Sequence, residues 1–521
     1  MKSLNASGRQ LADNLLRLEQ HEVQQNKLRK TQERVNVVGA GGTLTAAYEQ
    51  LRNAAENTEE HLLLQNAIRR FYRQLFLTRD DKLLRDSGQE LTVELTLAGY
   101  LPNDHLTVEQ VRQISKLAHQ YYSAYESLLQ LKDITTDSAY KWTLDVLAVE
   151  VESLISDHGH DVAFIDFAYG QLTSLIQPER ILPSSEQDDV AAMLFAAMHE
   201  ALLKSDRAVI RTQLLRRYQV DIVHFDQYIA FNQRIDTMLE SDSVERLRRM
   251  VDRQGAPFRV LRRMMEDQPD LVQLLDKPES MLSDFEQQVN TEYARTAKRI
   301  NRAIVRSVIF LIITKFLIGI AIEIPYDYLA YSEIIWMPLL INLFFPPIYM
   351  MALRATHTLP GAANTRALVD RMEQMLYGDS EVVASTKLER KGYSPVFSAL
   401  YVISGLAIFA GTTYLLLLLQ FSVVHIVIFF VFLSAASFLG FRLSRFIREL
   451  ELVRGAQNGM TFVRDLVYLP FVVVGQWMSD KYSRVNIVTI ILDMLIELPL
   501  KTVLRLVRQW SAFIDDRKDR I

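Results

Sequence analysis

Between Ser307 and Leu353 the chain reads SVIFLIITKFLIGIAIEIPYDYLAYSEIIWMPLLINLFFPPIYMMAL, two apolar runs either side of a short acidic and aromatic turn. That is the pattern of a membrane hairpin, because a helix of roughly 20 apolar residues crosses a bilayer and satisfies its own backbone groups there. The first span is expected at about 307–324 and the second at about 334–353. In the first, the apolar residues favour insertion by roughly 4–5 kcal/mol and Lys315 opposes it by about 3, so the lysine is tolerated. Pro325, Asp327 and Glu333 are read as the turn. Pro338, Pro346 and Pro347 are expected to kink the second span or make it locally non-helical.

Two further spans are expected at about 396–419 and 423–441, joined by a tight turn at Gln420, Phe421 and Ser422. Small residues at Gly405, Ala407, Gly411, Ser434, Ala435, Ala436, Ser437 and Gly440 allow close helix approach. Lysine and arginine flank one side throughout: Arg295 to Arg306 before the first span, Arg354 to Lys391 between the second and third, and Arg442 to Arg454 after the fourth. The other two turns carry none. The positive-inside rule then puts both termini in the cytoplasm of a multi-pass inner (plasma) membrane protein.

Upstream lie about 300 residues with soluble character. The whole chain has 23% charged residues and a net charge of −4, with no basic stripe that would suit a nucleic acid. Cysteine is absent, which removes disulfides, thiolate metal sites and cysteine nucleophiles. The opening MKSLNASGRQ lacks the apolar core of a secretory signal. Residues 1–42 are read as an amphipathic helix, coiled-coil in type or packed on its own domain, followed by a glycine hinge; 43–300 as a helical domain; 301–458 as the membrane domain. Gly39, Gly41 and Gly42 do not make a dinucleotide fingerprint, because Leu44 stands where its last glycine belongs.

Within the helical domain, Leu106-Thr107-Val108-Glu109-Gln110-Val111 predicts a capped helix start. Tyr140, Leu144, Leu147, Val151 and Leu154 predict another helix, Val162 to Ile176 a third, and a long one begins near Asp188. Leu91 to Leu97 alternates with period two and is left as helix or isolated extended chain. Asp157-His158-Gly159-His160-Asp161 is read as a polar helix–helix turn rather than a metal site. No cofactor motif occurs, and nothing marks a catalytic centre. The fold class is therefore all-α: a large N-terminal helical domain, a polytopic membrane domain, and an amphipathic C-terminal helix.

The last 60 residues divide in two. Leu466 to Met478 is too short to cross and is interrupted by Pro470, which suggests a re-entrant or interfacial piece. Beyond it, Asp493, Glu497, Lys501, Arg505 and Arg508 fall on one polar stripe of a helix lying in the bilayer interface, where anionic lipids are a candidate partner. Ile322-Glu323-Ile324-Pro325 recurs loosely as Ile496-Glu497-Leu498-Pro499.

Three charges in the first hairpin are the functional candidates: Lys315, Glu323 and Asp327. Lys315 and Glu323 stand eight residues apart, about 12 Å along a regular helix. They are not expected to meet, so each needs a partner on another helix, in a water-filled cavity, or at an oligomer axis. The strings IEIPYD, INLFFPP and LPGAANT resemble those of uncharacterised bacterial multi-pass membrane proteins. That resemblance covers the membrane part alone and implies a similar hairpin core and no activity. Two functions are favoured by this sequence, ahead of a membrane enzyme, for which no motif occurs. One is a membrane-anchored scaffold or sensor, with a cytoplasmic domain that binds a protein partner or self-associates. The other is an oligomeric channel or transporter that uses Lys315 and Glu323.

Overall fold

A computed structural model describes residues 3–37, 60–378, 395–453 and 459–484, apart from 79–80, 132–133, 179–181, 269 and 357–358, together with a few positions between 46 and 53 and Trp510. The glycine hinge and the stripe formed by Asp493, Glu497, Lys501, Arg505 and Arg508 lie outside the described residues. Among those described, the chain is helical, with a lone bridge between Arg34 and Thr107 as its only extended pairing.

The body begins with α1 (Ala6–Thr31), α2 (Leu63–Thr78), α3 (Asp81–Arg85), α4 (Ser87–Leu97) and α5 (Val108–Leu129). It continues through α6 (Thr136–Ile155), α7 (Gly159–Ile176), α8 (Val190–Met198), α9 (Arg207–Arg217) and α10 (Phe225–Leu239). Then come α11 (Asp242–Gln254), α12 (Ala256–Asp267) and α13 (Leu271–Leu275). The residues at three- and four-step spacing face inward: Ile68, Tyr72, Leu91, Ile114 and Leu147 belong to one apolar core, and Phe164, Met193, Leu247 and Phe258 to a second. The period-two stretch is the helix α4. Its Gly88 lies against α5, where an added Cβ would stand 2.1 Å from the Val111 carbonyl oxygen.

Local chemistry sets the helix ends. Thr107 and Gln110 form the expected capping box at the start of α5. The long helix expected from Asp188 is broken. A 3₁₀ turn precedes α8, and a π-turn over His199–Leu203 ends at Lys204 in the left-handed region. Asp206 then caps α9. The cluster at Asp157–Asp161 is the turn between α6 and α7, where the Gly159 amide donates to Asp157 and Asp161 pairs with Arg262.

The first helix packs on its own chain. Leu4, Leu11 and Leu15 are buried in the second core. Asn5 caps α1 and also donates to the carbonyls of Met375 and Gly378, at the end of α17 (Ala362–Tyr377). That helix lies between the second and third spans, yet its Leu368, Met372 and Leu376 fill the same core. The body therefore includes a segment from within the membrane part of the sequence.

Among the described residues, four helices are long and apolar enough to cross a membrane. The first starts as α14 (Pro278–Ile318), passes through a π-turn at Gly319–Glu323, and ends as α15 (Ile324–Tyr331). Its early residues Met281, Phe285 and Val289 lie in the body core, while from Val305 onward it exposes large apolar side chains. The chain turns later than the sequence suggests, at Ser332 in the left-handed region. Pro325 is accommodated because the π-turn opens the helix where the proline ring would meet the Ala321 carbonyl. Next come α16 (Trp336–Thr356), helical through Pro346 and Pro347, then α18 (Pro395–Leu418) and α19 (Val423–Arg448).

A further helix, α20 (Gly459–Arg484), occupies the segment expected to be re-entrant or interfacial. It runs unbroken through Pro470 for 26 residues, about 39 Å. Phe471 packs on Phe409 of α18 and stacks on Phe430 of α19, and Pro470 touches Gly405. Gly475 lies so close to α19 that an added Cβ would stand 2.3 Å from the Ser434 carbonyl oxygen. These contacts keep the segment straight where thirteen apolar residues alone gave it no support.

Candidate functional site

The three candidate charges come together at the end of the bundle away from the body, and all are buried. Contrary to the sequence expectation, Lys315 and Glu323 pair directly, Nζ to Oε1 at 2.6 Å. The π-turn explains this. Eight residues of regular α-helix end about 80° off the starting face, whereas one residue absorbed by a π-turn leaves a seven-residue offset, within about 20° of it. The long lysine side chain covers the remaining rise. Lys315 Nζ also lies 5.3 Å from the centre of the Phe432 ring of α19.

Glu323 is not the simple interfacial residue its place before a proline suggests. Its Oε1 accepts a second bond, from Asn342 Nδ2 on α16 at 2.8 Å, and the same amide donates to the His425 carbonyl at 3.2 Å. Asp327, one turn on, faces the His425 ring of α19 at 3.6 Å and accepts from the Ile335 amide. His425 in turn meets Ser422, the residue that caps α19, with Nδ1 and Oγ 2.8 Å apart. Three spans thus meet through Lys315, Glu323, Asp327, Asn342 and His425, each at most 2% exposed.

The network is incompletely satisfied from within. Among the described residues, Glu323 Oε2, Asp327 Oδ1, Asn342 Oδ1 and His425 Nε2 have no hydrogen-bond partner. Among the described residues, no group of three or more His, Asp or Glu has the geometry to hold a metal ion. Sequence reasoning missed Asn342 and His425, although each is a polar residue inside an apolar run. No known protein family, curated protein or solved structure is detectably similar to this chain. Function must therefore be argued from the site.

A second cluster of titratable groups lies in the body, in a cleft of about 480 Å³ that runs between α6, α7, α8 and α9. Burial pushes Glu152 up to about 7, with Asp206 adding to the rise. Burial also lowers His158, and takes His199 down to about 4. Glu152 and His158 stand 3.7 Å apart. Desolvation outweighs the attraction of Arg69 for Glu152 and of Asp161 and Asp157 for His158, so both shifts favour the neutral forms.

A raised carboxyl value contributes stability that is complete below the ordinary value of 4.5 and is lost as pH rises towards about 7. The full loss is on the order of 3 kcal/mol. His199 acts in the opposite sense: its contribution is present above 6.5 and lost as pH falls towards about 4. Glu152→Gln should therefore raise the thermal midpoint at pH 8 and leave it nearly unchanged at pH 5. Equal midpoint shifts at both pH values would show that the Glu152 proton does not govern this slope.

Proposed function

We propose that this protein is a membrane-anchored sensor, with its helical body in the cytoplasm and its distal polar cluster as the responsive element. One observation carries the reading: the helix that holds Lys315, Glu323 and Asp327 is continuous with the one that packs Phe285 and Val289 into the body core. A change of charge at the cluster alters the packing of three spans, and α14 carries that change to the body as a rigid rod. The Asp327–His425 contact, a carboxyl group facing an imidazole across two spans, is the joint on which a change of proton occupancy acts. Tyr326, Phe421, Ser422 and Asn342 face this joint, with Glu323 and Lys315 behind the amide. The body then engages a protein partner or a second copy of the chain.

The cytoplasmic placement rests on the arginines at the body end of every span, including Arg299, Arg302, Arg354, Arg442 and Arg445. If α20 crosses as well, a C-terminus on the body side requires one more crossing after Arg484. The chain has no cysteine, so single introduced thiols report topology cleanly. In intact cells, a membrane-impermeant maleimide should label Glu333→Cys and spare Glu126→Cys, both at exposed positions. The reverse pattern inverts the proposed orientation.

The sensor itself is tested with the full chain in lipid nanodiscs, carrying paired labels at 126 and 333. A shift from pH 8 to pH 5.5 should change the distance between the labels in the otherwise wild-type chain and not in His425→Gln. An unchanged distance in both sinks the sensor reading. The four unpartnered polar atoms also fit an ion path in an oligomeric channel or transporter. That reading requires an ion flux in liposomes that Lys315→Leu abolishes while expression is kept.

A further inference from the structure

Where the body meets the membrane helices, a cleft of about 360 Å³ is lined by seven lysines and arginines against two glutamates. Its walls come from the turn before α9, from α12, from α14 and from the end of α19. Pockets of this size hold small molecules, and this one is shaped for an anion. We propose that it binds the phosphate headgroup of an anionic phospholipid.

The cations differ in how far they are already engaged. Lys204 pairs with Glu449 at 2.8 Å, and Arg259 donates to the Glu449 carbonyl at the C-terminus of α19. Those two bonds clamp the body to the fourth span and set the cleft's shape. Arg262 and Arg263 pair with Asp161 and Glu266. Arg299 and Arg445 are different. Both are exposed, and among the described residues neither has a carboxylate within salt-bridge distance. Arg299 lies instead 4.4 Å over the ring of Phe446, which fixes its guanidinium at the mouth of the cleft. A fixed guanidinium with free N–H groups is well suited to phosphate oxygens.

Position favours a lipid over a soluble phosphate. Arg442 and Arg445 directly follow Phe441, the end of the apolar run of α19. On α14 the exposed apolar surface starts at Val305, about 9 Å beyond Arg299. Continuing up the face of Arg299, helical spacing brings Arg306 and then Phe310, Ile313 and Leu317, the last three more than half exposed. A headgroup in the cleft therefore has an apolar track for its acyl chains on the same helix. Basic pockets between spans at the cytoplasmic surface recognise acidic headgroups by this arrangement.

The test uses the purified full chain and lipid retention read by native mass spectrometry, with equal phosphatidylglycerol and phosphatidylcholine. Wild type should keep phosphatidylglycerol in at least roughly tenfold preference. Arg299→Gln with Arg445→Gln should bring that preference down to near parity, with about a factor of five lost per arginine. Arg249→Gln with Arg253→Gln, on the exposed face of α11, should leave it intact. Equal retention of both lipids by wild type overturns the proposal without recourse to any variant. So does a folded double variant that keeps the preference. If inorganic phosphate alone binds wild type and displaces phosphatidylglycerol entirely, the site is one for soluble phosphate and the lipid assignment fails. None of these readouts depends on whether the distal cluster responds to protons.

Discussion

Glu323→Leu should destabilise the protein by about 3–5 kcal/mol, because it strands the ammonium of Lys315 among apolar helices with its 2.6 Å partner gone. Lys315→Leu should cost less, about 2–4 kcal/mol, since the Glu323 side chain keeps the hydrogen bond from the Asn342 amide. The double variant, Lys315→Leu with Glu323→Leu, should recover most of both losses, because no unpaired charge remains. Thermal unfolding of the four proteins in one detergent measures this as a double-mutant cycle. Additive losses would mean that the two residues do not act as a pair.

The second large effect is expected in the body, at Arg211. This fully buried guanidinium donates to Asn232 Oδ1 at 2.6 Å and to Asp236, lies 5.8 Å from the Trp142 ring centre, and approaches Asp145 at 3.9 Å. Trp142 Nε1 donates to the other oxygen of Asp236, which ties the two cores together. Attraction to Arg211 and its hydrogen bonds, together with the bond from Trp142, outweigh burial and hold the Asp236 carboxyl below its ordinary value. Arg211→Met keeps much of the volume but strands Asn232 Oδ1, takes the guanidinium from Asp236 and leaves Asp145 with Arg69 alone, at a cost of about 3–5 kcal/mol. The loss should appear as a lower unfolding midpoint and should shrink in acid, where the stranded carboxylates are neutralised. A midpoint within a degree of wild type at pH 7 would contradict this account.

Much of this was legible in the sequence, for identifiable reasons. Lys315, Glu323 and Asp327 stand out because charge inside an apolar run is costly, and all three lie in the buried cluster. The capping box at Thr107 is local chemistry, so six residues sufficed to predict it. The pairing of Lys315 with Glu323 was not legible, because its cause is a change of helical phase. A hint was present in Pro325, whose ring demands an opened turn just where Gly319–Glu323 supplies it. His425 and Asn342 escaped because each is uncharged and surrounded by residues that favour insertion. The docking of α17 was missed for a different reason. The spacing of Leu368, Met372, Met375 and Leu376 predicts a buried face, but the helices that cover it lie far away in sequence.

The core that holds Phe285 also holds Leu368 and Leu376, and Leu450 closes it from beyond the fourth span. Asn364 secures that closure, donating to Tyr293 and the Leu450 carbonyl while accepting from the amides of Leu452 and Val453. During synthesis, therefore, the first 300 residues leave the ribosome without the parts that complete them. They must wait, partly open, while two hairpins are threaded into the bilayer. A fragment cut before the first hairpin would present that unfinished surface to water, and chaperones would be the first to find it.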